Sequence, residues 1–274
     1  MKNTKQNNDI VFQSPPLGDL GGLEFSILFL GTGTSTGVPE IGCSCAVCQS
    51  ADIKDKRLRT SVLLRSKNET VLIDCGPDFR QQMLTHHINQ LDAILLTHEH
   101  YDHISGLDDV RPLGSMKLYA QESVLQVIKN NIPYSFRQSD LPLKVPKLAL
   151  HAINNEPFSV GNFIFQPIQL MHLKLPVLGF RTRNVAYLTD FNEIPEQEFE
   201  KLHNLDILVI DALRIKPHPS HNTLEQALNF IQKINPRRAY LTHISHGMGL
   251  HEEVQQTLPE NVFLAYDGLK IISQ

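Results

Sequence analysis

Four potential metal ligands lie within six residues near position 100, directly after a short apolar run. The segment reads His98-Glu-His100-Tyr-Asp102-His103 and follows the run 93–96. Residues i and i+2 of an extended chain share a face, so His98 and His100 can bind one metal ion. Asp102 and His103 can then turn toward a second ion about 3.5–4 Å away. A helical zinc-protease motif would need histidine where Asp102 stands, and a His-rich solvated loop is the remaining alternative.

Three more polar residues each close an apolar run later in the chain. His172 follows the run 163–170, while Asp190 and His243 each follow a short run that ends in Tyr-Leu-Thr. Strand ends are where loops present functional groups from a rigid sheet. Each residue alone could be a turn aspartate or a hydrogen-bonded histidine. Together with the first cluster they predict a two-metal site.

A second candidate metal site is a cysteine triplet. Cys43, Cys45 and Cys48 have the spacing Cys-x-Cys-x-x-Cys, which supplies three corners of a tetrahedral zinc site. The alternatives are three small buried hydrophobic residues or a redox pair. The flanking polar residues and a reducing compartment favour a metal. His246, three residues after His243, is the suggested fourth ligand.

The elements that must position these residues are strands early in the chain and alternating strands and helices later. Apolar runs predict strands at 25–30, 61–65, 70–73, 93–97, 117–119, 163–168, 186–188, 207–210, 239–242 and 262–264. Helical periodicity predicts helices at 122–129, 195–203, 224–233 and 252–258. This order favours an α/β protein whose layered sheets are covered by helices.

Composition excludes several classes of protein. The 274 residues are 41% hydrophobic and 20% charged, with a net charge of −4, which is ample for a globular core. No apolar stretch of about 18 residues occurs, so no membrane span is expected. The slight excess of acidic over basic residues does not indicate a positively charged surface for binding nucleic acid. Residues 1–8 lack the apolar core of a secretory signal, so we expect a cytoplasmic location, a flexible lead-in at 1–23 and a single domain at 24–274.

Over nearly all of residues 24–273 the sequence resembles the metallo-β-lactamase-fold hydrolases. The motifs that carry the resemblance are Asp74-Cys-Gly76, the cluster at 98–103, His172, Thr189-Asp190 and Thr242-His243. The resemblance implies an αββα sandwich, with two mixed β-sheets flanked by helices. It implies that the first metal is held by His98, His100 and His172. It implies that the second is held by Asp102, His103 and His243, that Asp190 bridges both, and that Asp74 orients the ligand loop.

A narrower resemblance is to the phosphodiesterase branch typified by the phosphoribosyl cyclic phosphate phosphodiesterase of bacterial phosphonate breakdown. The glycine-rich run 31–39, the cysteine triplet and Thr-His-Ile-Ser-His at 242–246 carry it. It implies a structural zinc on Cys43, Cys45, Cys48 and His246. It also implies that His221 contacts the phosphate, whereas an exposed histidine just before a helix is the alternative reading of His221.

These observations predict a dinuclear metal-dependent hydrolase that cleaves phosphodiester bonds by attack of a metal-bridging hydroxide. Its substrate is expected to be a small cyclic nucleotide- or ribose-phosphate-like molecule. The catalytic residues are expected to be His221, Asp102 and Asp190, and the two active-site metals to be zinc or manganese. An RNA 3′-processing endonuclease and a lactone or thioester hydrolase of the same fold are the alternatives. A homodimer is plausible for the family.

Three other features complete the predictions. Arg111 could bind substrate phosphate or pair with Asp108 or Asp109. The stretch 133–146, which is rich in proline, is predicted to be an inserted loop or lid. The glycines at 31–37 are predicted to let the backbone pass close to the metal ligands.

Overall fold

The computed structural model describes residues 25–137 and 144–273, and in them two seven-stranded sheets face each other. The predicted lead-in at 1–23 and the middle of the predicted loop, 138–143, lie outside the described residues. The first sheet has the strand order β14-β1-β2-β3-β4-β5-β6. Its strands are β1 (Phe25–Gly31), β2 (Ser61–Arg65), β3 (Thr70–Ile73), β4 (Ala93–Leu95), β5 (Ser115–Ala120), β6 (Lys147–Ala152) and β14 (Lys270–Ser273).

The second sheet has the order β13-β12-β11-β10-β9-β8-β7. Its strands are β7 (Phe158–Val160), β8 (Phe163–His172), β9 (Leu175–Thr182), β10 (Val185–Leu188), β11 (Ile207–Asp211), β12 (Arg238–Thr242) and β13 (Val262–Leu264). Both sheets are mixed, because β3 to β6 and β10 to β13 pair in parallel and the remaining pairs are antiparallel.

The described residues include six α-helices outside the sheets. They are α1 (Ala46–Gln49), α2 (Phe79–Thr85), α3 (Tyr101–Ile104), α4 (Glu122–Asn131), α5 (Leu224–Ile234) and α6 (His251–Gln255). The predicted sandwich of two mixed sheets with helices outside is confirmed. Within the described ranges, no helix has the length and apolar character needed to span a membrane.

Successive side chains of a strand point to opposite faces of its sheet. The strands therefore contribute to three apolar layers, one between the sheets and one on the outer face of each sheet. In β2, Val62 and Leu64 face the core between the sheets, whereas Leu63 faces the outer layer that α2 and α4 cover. In β11, Ile207 and Val209 enter the same inter-sheet core, and Leu208 and Ile210 face the layer under α5. Continuous apolar runs in both strands are therefore what burial on two faces requires.

Most predicted strands are present with shifted ends, and four strands were missed. Strand β6 lies at a sheet edge and alternates half-buried with exposed residues, while β9 contains Pro176 and Gly179, which weaken a strand signal. The strands β7 and β14 are also edge strands and are short. The predicted α-helix at 195–203 is instead a 3₁₀ helix at Glu196–Leu202. Helices α1, α2 and α3, of four, seven and four residues, were also missed.

Candidate metal centre and active site

The ligands come from loops at one edge of both sheets. His98 and His100 follow β4, whereas Asp102 and His103 lie on α3, whose first residue is Tyr101. His172 is the last residue of β8. Asp190 and His243 follow β10 and β12, and both have left-handed backbones with φ of 53° and 56°. Such conformations are uncommon outside glycine and concentrate at functional sites, where the surrounding structure holds them.

Donor atoms of these residues converge in two groups. Those of His98, His100 and Asp190 lie within 4.8 Å of one another, as do those of Asp102, His103 and His243. The Asp190 Oδ2 lies 3.0 Å from His103 Nε2 and 3.3 Å from His243 Nε2. Asp190 therefore faces both groups, in the place that the bridging role would require.

His172 lies beside the first group without joining it at that distance. Its ring centroid is 5.2 Å from that of His100 and 6.2 Å from that of His98. Its Nδ1 atom is buried and has no hydrogen-bond partner. The structure thus brings all seven predicted ligands to one edge, with His172 the most distant from its expected partners.

Buried imidazole nitrogens show that the residues fit metal ions. His98 Nε2, His103 Nε2 and both ring nitrogens of His243 are buried without a hydrogen bond. A buried polar atom left without a partner costs about 1–3 kcal/mol, so several converging ones are unfavourable unless they bind something. A ring nitrogen lone pair and a carboxylate oxygen are ligands that zinc and manganese accept. The donor set therefore fits two divalent cations.

The electrostatics of the cluster favour positive charge at its centre. Burial lowers the pKa of His103, but the carboxylates of Asp190 and Asp102 outweigh it and raise that pKa well above the usual value. Burial would raise the pKa of Asp190, yet the imidazoles of His243 and His103 hold it well below its usual value. Burial would also raise the pKa of Asp102, yet the imidazole of His103 holds it below its usual value, so both carboxylates are ionised, as metal binding requires.

Asp74 holds the ligand loop from behind. It is fully buried, accepts a hydrogen bond from the Thr97 backbone N–H at 2.9 Å, and accepts another from His103 Nδ1 at 2.8 Å. A proton on Nδ1 leaves the Nε2 lone pair of His103 free to face the cluster. Asp74 itself has φ of 64°, so the turn after β3 aims its carboxylate at the loop.

Two glycines bring the turn after β3 against the ligand loop. A Cβ atom at Gly76 would overlap the backbone oxygen of Asp102, and one at Gly106 would overlap the backbone oxygen of Gly76. The Cys75 N–H donates to the His103 carbonyl at 2.7 Å, and the Gly106 N–H donates to the Cys75 carbonyl at 2.9 Å. Gly31 and Gly33 pack against the backbone at 57–59, and the same run pairs with Ile244, the residue after His243, through Thr34 N–H to the Ile244 carbonyl at 3.1 Å and Ile244 N–H to the Thr32 carbonyl at 2.8 Å. The glycine-rich run therefore passes beside a predicted metal ligand, as expected.

Asp211 was not predicted as a site residue from the sequence. This carboxylate is buried at the end of β11 and accepts a hydrogen bond from Asn222 Nδ2 at 3.0 Å. Burial, together with the charge of Asp190, raises the pKa of Asp211 to about 8. The signal was present, because Asp211 closes an apolar strand as Asp190 and His243 do.

His221 lies over the second donor group. Its ring centroid is 4.6 Å from that of His172 and 5.1 Å from that of His243, and its Nδ1 is 3.7 Å from Asp190 Oδ1. Burial, reinforced by the charge of His243, lowers the pKa of His221 to about 3. The ring is therefore neutral near pH 7. Helix α5 begins at Leu224, as the periodicity predicted, with Thr223 as its N-cap.

The cysteine triplet and His246 form a separate cluster. His246 Nδ1 lies 3.2 Å from the Sγ of Cys43, 3.7 Å from that of Cys45 and 3.4 Å from that of Cys48. Three sulfurs around one ring nitrogen are the donor set of a tetrahedral zinc site. The Cys48 backbone N–H, at the start of α1, lowers the pKa of Cys45 to about 7, whereas burial raises that of Cys48 to about 11.

One carboxylate ties together the two segments that supply this cluster. Asp55 is buried, and its Oδ2 accepts a hydrogen bond at 2.6 Å from Ser50, two residues after Cys48. Its Oδ1 accepts one at 2.8 Å from the backbone N–H of His251, five residues after His246. Asp55 therefore fixes the cysteine loop against the histidine segment.

A cleft of about 710 Å³ opens beside the first donor group. Its lining residues are His100, His172, Leu173, Lys174, Leu175, Asn192 and Ser220. Arg111 does not line it, and pairs with Asp108 on the 3₁₀ helix at Ser105–Leu113. Of the stretch 133–146, the described part begins with a 3₁₀ helix at Pro133–Ser135.

Comparison with known proteins identifies the family. The model of the β-lactamase superfamily domain matches residues 69–244, which is more than half of the chain. The chain belongs to the metallo-β-lactamase superfamily. Most members of this superfamily are hydrolases, and they depend on metal.

Individual relatives differ in what their names describe. An octanoyltransferase of Porphyromonas gingivalis strain W83 is 44% identical over 251 residues, covering 89% of this chain but 51% of the relative, so the chain spans about half of its length. A crystal structure described as a new diphosphatase from the PhnP family has a TM-score of 0.86 and 42% identity, covering 92% of this chain and 98% of that one. A ribonuclease Z of Prochlorococcus marinus strain MIT 9301 is 26% identical, covering 73% of this chain and 58% of the relative.

Proposed function

We propose that this superfamily hydrolase is a phosphodiesterase that uses two divalent cations, zinc or manganese, on a small substrate. The observation that carries the proposal is the position of Asp190, whose carboxylate faces both donor groups. Two cations held in this way polarise phosphoryl oxygens and lower the pKa of water, which is the chemistry of phosphodiester hydrolysis. The similarity to the diphosphatase structure and to ribonuclease Z supports phosphoryl chemistry in general.

The protein residues have distinct parts in this proposal. His98, His100 and His172 would hold one cation and Asp102, His103 and His243 the other, with Asp190 shared between them. His221, neutral because of its lowered pKa, would donate a hydrogen bond to a phosphoryl oxygen. A neutral ring of this kind is a poor general acid, so we favour phosphate binding over protonation of the leaving group for His221.

We also propose that the cysteine cluster holds a structural zinc. The four donor atoms from Cys43, Cys45, Cys48 and His246 support it. Zinc-loaded His98→Ala protein should lose metal from the active site and keep one zinc per chain, measured by elemental analysis. Loss of all zinc in that variant would contradict an independent third site. Thiol ligands fit a reducing compartment, so a cytoplasmic location remains our proposal.

A panel of substrates tests the main proposal. Metal-loaded protein should hydrolyse a cyclic ribose phosphate or bis(p-nitrophenyl) phosphate and leave a lactone and an octanoyl thioester intact. The thioester is included because one relative is named for octanoyl transfer. Turnover of the lactone or thioester without either phosphodiester would refute the proposal. Cleavage of precursor tRNA would instead favour the endonuclease alternative.

A second candidate reaction is hydrolysis of a diphosphate linkage. It is favoured by the diphosphatase structure, which is 42% identical and matches this chain over nearly its whole length. The two reactions share in-line attack on phosphorus and differ in the leaving group, a phosphate instead of an alkoxide. A dinucleoside diphosphate added to the panel distinguishes them by the ratio of kcat/KM values. A homodimer acting on such small substrates is part of the proposal, and sedimentation measures it.

A further inference from the structure

The turn between β8 and β9 exposes a leucine in an unfavourable conformation beside the metal centre. Leu173 directly follows His172, has φ of 57° and is 54% exposed. Its backbone N–H donates to Asn192 Oδ1 at 2.6 Å, and Asn192 is two residues from Asp190. The turn is thereby tied to the loop that carries the shared carboxylate.

Neither property of Leu173 helps the free protein. A left-handed backbone costs a residue other than glycine about 1–2 kcal/mol, and asparagine or glycine adopts it more readily. An exposed leucine side chain gains little from the hydrophobic effect. Strain kept at a site points to a function, because the surrounding structure must hold it in place. An apolar group that covers Leu173 would turn this exposure into favourable burial.

The cleft shows where such a group would lie. Leu173 and Leu175 line it together with the rings of His100 and His172, so its apolar wall adjoins the first donor group. Among the described residues that line the cleft, Lys174 carries a positive charge and none is acidic. An anion can therefore enter while an attached apolar group stays against the leucines.

We infer that Leu173 is a specificity-determining residue that selects phosphate esters carrying an aromatic or aliphatic group. The inference rests on the proposed function, because it places the phosphoryl group at the metal centre. The ester group lies in the cleft against Leu173 and Leu175. Lys174 attracts the anion without discriminating between ester groups, since all of these substrates carry the phosphoryl charge.

Two phosphonates isolate the apolar contribution. Phenylphosphonate and methylphosphonate carry the same anionic group, so the metal centre, His221 and Lys174 contribute almost equally to both. Their inhibition constants against bis(p-nitrophenyl) phosphate hydrolysis, and their binding to zinc-loaded protein by calorimetry, give a phenyl-to-methyl preference. We expect the wild-type protein to prefer phenylphosphonate by roughly tenfold, as partial burial of a ring in an open cleft implies.

Leu173→Asn is the informative variant because asparagine tolerates the left-handed backbone and removes the apolar surface. It should reduce the preference about fivefold and leave the melting temperature unchanged or higher. Leu173→Gly keeps the same backbone freedom and should reduce the preference similarly. Ile164→Asn is the matched control, since Ile164 is 65% exposed on β8 and does not line the cleft. The control should keep the wild-type preference.

The outcomes separate the inference from the proposed function. A wild-type preference near one, or an undiminished preference in both Leu173 variants, would overturn the inference while phosphodiester hydrolysis stands. Failure of both phosphonates to bind, with no turnover of any phosphodiester, would overturn the proposed function and the inference with it. A reduced preference in both Leu173 variants and not in Ile164→Asn supports the inference.

Discussion

Replacing Asp74 with asparagine changes one atom and should disable His103 as a ligand. The asparagine carbonyl can still accept the hydrogen bond from Thr97 N–H, but its amide group then faces His103 Nδ1. Two donors cannot share that contact, so the ring proton moves to Nε2, the atom 3.0 Å from Asp190. Loss of such a supporting contact typically lowers metal affinity 10–100-fold, or about 1.4–2.7 kcal/mol.

Competition with a zinc chelator measures the zinc affinity of the active site, and the turnover of bis(p-nitrophenyl) phosphate should fall with that affinity. Asp92→Asn is the matched control, because Asp92 also accepts a backbone N–H, from Thr70 at 2.7 Å, but does not touch the metal centre. Wild-type zinc affinity in Asp74→Asn would refute the tautomer argument. An equal loss in Asp92→Asn would show that general destabilisation, and not His103, is responsible.

Three further predictions concern parts of the molecule away from the active-site ligands. Asp55→Ala removes the acceptor of both the Ser50 hydroxyl and the His251 backbone N–H, so the cysteine cluster should lose zinc to a chelator about tenfold faster, while the active-site metals are unaffected. Burial, with Arg57 nearby, lowers the pKa of His251 to about 4. As the pH falls, the unfolded chain therefore protonates His251 before the folded protein does, and the wild-type protein loses stability between about pH 6.5 and 4. The melting temperature of the wild-type protein should exceed that of His251→Gln by less at the lower end of this range. Leu208→Ala opens a cavity under α5 and should lower the free energy of unfolding by about 2–5 kcal/mol in urea titrations, with a loss below 1 kcal/mol contradicting its full burial.

The sequence alone predicts strands that are buried on both faces better than strands with an exposed face. Strands β4, β10 and β12 are buried on both faces, so each reads as an apolar run whose polar successor stands out. Edge strands such as β6 have one exposed face and a free side, and their alternation is too short and polar to distinguish from a loop. Strands are therefore recognised from the sequence when they are buried. The candidate site residues are recognised with them, because the ligands directly follow buried strands.

Other features depended on contacts between distant segments, which periodicity does not encode. Asp74 was expected from the resemblance, but its bond to His103 joins residues 29 apart. The glycine-rich run pairs with Ile244, which is distant along the chain, and no local pattern shows which ligand segment it would lie beside. Asp211 is the exception, because the rule that pointed to Asp190 applied equally to it.

The contact between Gly76 and Gly106 divides the site into what can change and what cannot. The path of the ligand loop is set by backbone atoms, including the Cys75 and Gly106 N–H groups, so exchanging a ligand side chain does not by itself alter that path. A side chain at either glycine would push the loop away whatever ligands it carried. The metal preference can thus be changed by substituting ligand side chains, whereas the backbone that carries them tolerates almost no substitution at these two glycines.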